Sequence, residues 1–189
     1  MSLLNKLNKI LKEYSTGNKN LAYKRYKKFY LQNNKNFKLR YNLAVMQQEL
    51  GLLDEAESNY ISLIKKSEDT KYKINLYNLY IAKGLYQNAL DLINTIQSKN
   101  LTLIQVNQDK AYILYLLKQY NESINQCYQI LKIDEKNAIT LNTLGLCFLR
   151  LQRYDESNKT LLKAINLDNE NNYYIYTQLG ITLFKRVLK

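Results

Sequence analysis

Two cysteines, Cys127 and Cys147, and adjacent acidic pairs such as Asp54-Glu55, Asp134-Glu135 and Asp155-Glu156 are side chains whose types could do chemistry. A thiolate can attack an electrophile or hold a metal, and paired carboxylates can divide acid and base work. Each use needs further groups. The chain contains no histidine, so neither a Ser-His nor a Cys-His pair can be assembled within it. Two cysteines are too few for a disulfide framework and lack metal-ligand spacing. The five glycines are isolated from one another, which leaves no phosphate-binding loop. The expectation is a protein without catalytic residues, metal or cofactor.

Composition narrows the class. The chain has 189 residues, 46% of them hydrophobic, with no proline and only five glycines. That balance favours helices joined by short loops over a turn-rich β sandwich. The amino-terminal run MSLLNKLNKILKEYS lacks the unbroken apolar stretch of a signal peptide. No window reaches the ~18 consecutive apolar residues of a membrane span, so a cytoplasmic protein is expected. The net charge of +12 is uneven: residues 1–40 carry 11 Lys/Arg against the single acid Glu13, and residues 41–189 carry 17 against 15.

Internal periodicity gives the architecture. In the segment Ala138 to Asn171, Leu141, Leu144, Gly145 and Phe148 fall on one helical face. After a break near Gln152-Arg153, Tyr154, Ser157, Leu161 and Ala164 mark a second face. The i, i+3, i+4, i+7 spacing is thus met on both sides of a short turn. This segment resembles the tetratricopeptide repeat, a helical hairpin of 34 residues. Its signature places Leu144 at position 7, Gly145 at 8, Phe148 at 11, Tyr154 at 17, Ser157 at 20, Leu161 at 24 and Ala164 at 27. Asn169 stands where the family has proline.

Four further copies stand in register at 3–36, 37–69, 70–103 and 104–137, the second being one residue short. Residues 173–189 supply one more first helix. The resemblance implies an all-α fold, a right-handed α-solenoid of five antiparallel helix pairs (A then B) followed by a cap or truncated sixth repeat. Small residues recur at positions 8 and 20 because the two helices of a hairpin cross closely there. Tyr77 and Ile10 depart from this at position 8, and wider crossings are expected. Cys127 at 24 and Cys147 at 10 are expected to be buried packing thiols. Tyr86, Tyr120 and Tyr154 at 17, with Tyr26 and Tyr60 at 24, place most tyrosines in the core. Two acidic pairs fall at positions 18 and 19, where they complement the dipole of helix B. Without proline, the links between hairpins rest on Asn and Asp at Lys99-Asn100, Asp134-Glu135-Lys136-Asn137 and Asp168-Asn169-Glu170-Asn171.

The family resemblance also implies a function, binding a protein or extended peptide on the concave face lined by the A helices. Position 6 reads Asn8, Asn42, Asn75, Asp109, Thr143 and Gln178, a polar rung in every copy that can pair with a peptide backbone. It resembles the asparagine ladder of the O-linked N-acetylglucosamine transferases. Tyr41, Asn78, Tyr112, Tyr115 and Asn142 are further groove positions, with Ile74, Leu146, Leu149 and Tyr174. The family's clamp for acidic chaperone tails is not matched by any three consecutive copies. Two alternatives stand beside the scaffold reading. The chain could be the substrate-recognition region of a larger glycosyl- or sulfotransferase, since the apolar residues of 173–189 cover much of their helix and invite a domain or second copy. Alternatively, the basic run Lys24, Arg25, Lys27 and Lys28 could bind an acidic surface, nucleic acid or anionic lipid. A solvated end face is the plainer reading of the same run.

Overall fold

The computed structural model describes residues 3–96, 102–167 and 173–188. Among these residues all regular structure is helical. The elements are α1 (Leu3–Ser15), α2 (Lys19–Gln32), α3 (Phe37–Glu49), α4 (Leu53–Ile64), α5 (Thr70–Ala82), α6 (Tyr86–Asn94), α7 (Thr102–Leu116), α8 (Tyr120–Leu131), α9 (Ala138–Arg150), α10 (Tyr154–Leu167) and α11 (Tyr173–Val187). The chain divides into two compact units between Leu85 and Tyr86. In the first, α1 pairs with α2, α3 with α4, and α5 packs on α4. In the second, α6 packs on α7, α7 pairs with α8, α9 pairs with α10, and α11 lies against α10 and α9.

The A-to-B turn is built the same way each time. The residue at repeat position 15 has positive φ in all five copies: Gly17 at 111°, Gly51 at 76°, Gly84 at 73°, Lys118 at 63° and Gln152 at 60°. At the ends of α3, α5, α7 and α9 the next amide reaches back five residues, from Leu52 to the Gln47 carbonyl, Leu85 to Tyr80, Gln119 to Leu114 and Arg153 to Phe148, at 2.8–2.9 Å. This pairing satisfies carbonyls that a helix end leaves without an intrahelical donor. Glycine holds the left-handed residue at three turns, while Lys118 and Gln152 hold it at two with a Cβ that opposes the conformation. Lys118→Gly and Gln152→Gly should each stabilise the chain by about 1 kcal/mol, a gain that urea denaturation would register.

The B-to-A links use side chains. Asn36, Asp69 and Asn137 accept from the amides of Leu39, Lys71 and Thr140 at 3.2, 3.1 and 3.0 Å, capping α3, α5 and α9. Asn137 also donates to Asp134 Oδ2 at 2.9 Å and accepts from the Thr140 hydroxyl at 2.8 Å. These contacts replace the stiffening that proline supplies elsewhere. The other two expected turn clusters, Lys99-Asn100 and Asp168–Asn171, lie outside the described residues.

Position 20 holds a small, fully buried residue in every copy. Ala22, Ala56, Ala89, Ser123 and Ser157 are all fully buried. Where the residue is serine, its hydroxyl donates to the position-8 carbonyl across the crossing, Ser123 to Ala111 at 2.7 Å and Ser157 to Gly145 at 2.8 Å. Each hydroxyl then meets position 10 of the following copy. Cys147 Sγ donates to Ser123 Oγ at 3.2 Å, and Ser157 Oγ lies 3.3 Å from Thr182 Oγ1. Two departures at position 8, Ile10 and Tyr77, are buried as well.

Two details differ from the sequence expectation. Tyr86, Tyr120 and Tyr154 are half-buried rather than core, because each is the first residue of its helix, beside the solvent-facing turn. The carboxylate of Asp54 does more than face a helix dipole: with Glu57 it accepts from Lys83 Nζ, at 2.7 and 2.6 Å, joining α4 to the end of α5.

Candidate functional site

The A helices of each unit present a face of tyrosine and amide side chains. In the first unit, Asn8 is exposed on α1, Tyr41 and Asn42 are half-buried on α3, and Asn75 is half-buried with Asn78 exposed on α5. These side chains are ordered by one another across copies. Asn75 Nδ2 donates to the Tyr41 hydroxyl at 3.2 Å and to the Lys71 carbonyl at 2.8 Å. The Tyr41 ring lies 5.5 Å from that of Tyr72. Lys71 Nζ sits 5.7 Å from the Tyr41 ring centre and 5.0 Å from the Tyr72 ring centre. The same ammonium meets Asp69 at 2.6 Å, which holds that carboxyl below its ordinary range. Asn42 lies near the Tyr26 hydroxyl, which donates to the Leu39 carbonyl at 3.3 Å.

In the second unit, Asp109 is half-buried and accepts from Gln105 Nε2 at 3.0 Å. Tyr112 is 39% exposed and stacks on the buried Tyr115, with ring centres 6.0 Å apart and planes inclined by 22°. Burial, and then the neighbouring Tyr115 and Tyr86, push the Tyr112 hydroxyl pKa up, so it is a hydrogen-bonding group and not a base at neutral pH. Arg150 Nε donates to the Tyr115 hydroxyl at 3.2 Å. Asn142 is half-buried, and its Oδ1 is enclosed without a hydrogen-bond partner. Thr143 is only 4% exposed, and its hydroxyl turns back to the Ile139 carbonyl at 3.2 Å. Gln178 is half-buried on α11. Ile74 is half-buried, Leu146 and Leu149 are buried, and the side chain of Tyr174 lies outside the described residues.

The position-6 side chains therefore stand in different surroundings. Asn75 carries a tyrosine of the preceding copy, Asn42 lies near a core tyrosine, and Thr143 is closed on its own helix. Sequence reasoning missed the residues that fix the aromatic faces, namely Lys71, Arg150 and Glu49. A signal for two of them was present. Tyrosine at position 12 is followed 35 residues later by a charged residue at position 13, and the pair meets in both units: Tyr14 donates to Glu49 Oε2 at 2.9 Å, just as Arg150 donates to Tyr115.

The remaining chemistry is sparse. Cys127 and Cys147 are buried, and burial pushes the Cys127 thiol up to about 12 and Cys147 upward too. Thiols so held carry little thiolate at neutral pH. Among the described residues no group of three or more Cys, Asp or Glu side chains could hold a metal ion, and no helix is long and apolar enough to cross a membrane.

The basic run divides. Lys24, Arg25, Lys27 and Lys28 are exposed on α2, while Tyr23, Tyr26, Phe29 and Tyr30 are buried beneath them. Arg25 Nη1 donates to both carboxylate oxygens of Glu13 on α1, at 2.7 and 2.6 Å. Lys27 Nζ lies 5.9 Å from the centre of the Tyr23 ring.

Residues 138–171 match the family model of the tetratricopeptide repeat. No curated protein matches the chain by sequence. Solved structures match it by shape. A tetratricopeptide repeat protein from Parabacteroides merdae ATCC 43184 superposes with a TM-score of 0.84 at 20% identity, over 97% of this chain and 73% of its own. A thermophilic tetratricopeptide repeat protein of Thermus thermophilus gives 0.65 at 18% identity, over 97% and 100%. YrrB, a tetratricopeptide repeat protein with an unusual peptide-binding site, gives 0.60 at 15% identity, over 85% and 83%. At these identities the likeness establishes the fold, an all-α array of tetratricopeptide-type hairpins.

Proposed function

We propose that this chain, a tetratricopeptide repeat protein, is a non-catalytic scaffold that holds a partner protein or an extended peptide against the A-helix faces of its hairpins. The observation that carries the reading is the pre-ordering of aromatic and amide groups that are partly open on these faces. Tyr41 is fixed by Asn75, and Tyr112 is seated on a Tyr115 that Arg150 holds. Tyrosine presents a large amphipathic contact area with few rotatable bonds, so little entropy is lost when a ligand settles on it. The peptide-binding site of YrrB supports the reading by likeness of fold alone.

Peptides selected from a random display library against the whole chain provide the probe. Tyr112→Ala should weaken the selected peptides by roughly thirtyfold, the loss typical of an interface anchor of about 2 kcal/mol. Asn75→Ala should weaken those that contact the first unit. Asn42→Ala is a poor choice of variant, because its amide lies near the core hydroxyl of Tyr26. Selected peptides that bind both variants at full strength, with hydrogen-exchange protection confined to the B helices, would overturn the reading.

A further inference from the structure

A cleft of about 630 Å³ opens between α1 and α2, apart from the residues of the A-helix face. Its floor is Ile10 and Phe29, both buried in the core of the first unit. Its rim carries four cations, Lys6, Lys9, Arg25 and Lys28, against the single carboxylate of Glu13. The bidentate Arg25–Glu13 pair occupies that carboxylate with one of the four. Among the described residues, Lys6, Lys9 and Lys28 form no ion pair. Three ammonium groups on an apolar floor, with no acid left to answer them, make a place where negative charge is attracted and a hydrocarbon side chain can be covered.

We infer that this cleft is a second binding site, one that takes an acidic peptide segment bearing an apolar side chain. Its size suits a few residues of peptide. Nucleic acid fits less well. Binding a single strand without sequence preference calls for exposed aromatic faces on which bases stack, and all four aromatic residues of α2 are buried. The cations are also gathered around a concavity rather than spread over a flat face, which favours a chain end or a side chain over a membrane surface.

Fluorescence anisotropy on the whole chain tests this, at low and at physiological salt. The probes are a labelled peptide of glutamate and leucine, a labelled oligoglutamate, a labelled single-stranded oligonucleotide, and vesicles containing phosphatidylserine. The triple variant Lys6→Ala, Lys9→Ala, Lys28→Ala should weaken the glutamate–leucine peptide by about tenfold or more, because all three charges face the bound segment. The control Lys24→Ala, Lys27→Ala, Lys38→Ala removes the same charge outside the cleft and should cost less than about threefold, the share expected of general attraction. Oligoglutamate should bind more weakly than the leucine-bearing peptide. All six lysines are exposed, so both variants should fold, which circular dichroism would verify. Equal losses in the two triple variants would reduce the site to net charge and overturn it. Tighter binding of the oligonucleotide or the vesicles would overturn the choice of partner, and equal binding of oligoglutamate would overturn the role of the apolar floor.

Discussion

Tyr60→Ala should destabilise the chain by about 4 kcal/mol, the usual cost of emptying a buried aromatic site. Tyr60 is fully buried at position 24 of the second copy, with its ring 6.4 Å from that of Tyr41. Its hydroxyl donates to Gln48 Oε1 at 3.1 Å. Burial, joined by the nearby Tyr41 and Glu49, raises the hydroxyl pKa above its ordinary value, so the group stays protonated at neutral pH. The truncation removes the ring that fills the space between α3 and α4 and leaves the Gln48 acceptor without its donor. Tyr60→Phe separates the two contributions. It keeps the ring and should cost about 1 kcal/mol, the worth of one hydrogen bond. In repeat arrays a lesion is felt mainly by its neighbours, so hydrogen exchange should deprotect α3, α4 and α5 first. Equal denaturation midpoints for Tyr60→Ala and Tyr60→Phe would show that the ring is not what holds this hairpin.

A second large effect is expected where the helices approach most closely. A Cβ added at Gly145 would stand 2.6 Å from Leu161 Cδ2 and 2.7 Å from its Cγ. Leu161 is fully buried and cannot swing clear. Gly145→Val should therefore cost about 3 kcal/mol, the upper range for overpacking a core. The backbone shift needed to relieve the clash would also strain the Ser157-to-Gly145 hydrogen bond. Gly180 occupies the same repeat position in α11, and a Cβ there meets nothing within 4 Å. Gly180→Ala should stabilise α11 by about 0.5–1 kcal/mol, the helix-propensity gain alone. Thermal melts of the two variants should move in opposite directions, and a common direction would contradict the crossing geometry.

The sequence carried the hairpin fold well because the constraint is steric and repeats. A small residue at position 20 in each of five copies is hard to produce except where two helices touch, and all five are buried without exposure. The same holds for position 24, where Tyr26, Tyr60, Ile93, Cys127 and Leu161 all enter the core. The candidate face was less legible. Repeat position gives a residue's direction from the helix axis, but not the hydrogen bond its side chain will choose. Asn42 and Asn75 share a position and a residue type, yet one lies near Tyr26 and the other donates to Tyr41. The difference comes from where a tyrosine happens to stand in the preceding copy. The basic run likewise read as one patch along a helix, whereas folding brings Lys6 and Lys9 of α1 beside Lys28 and sends Lys27 to a separate ring contact.

The left-handed residue between the helices of each hairpin has a consequence for how the chain can tolerate changes in length. From the first residue of each copy to that turn the interval is the same in all five, and in four of them the reverse-reaching hydrogen bond closes the turn. The copy at 37–69 is a residue shorter than the others, and its shortfall lies after the turn, where side-chain caps and not a fixed backbone loop join one hairpin to the next. Insertions and deletions are thus sorted by position. The bend within a hairpin is a rigid joint whose residue number cannot drift, and the link between hairpins is the place where the chain can gain or lose a residue and still keep the next pair in step.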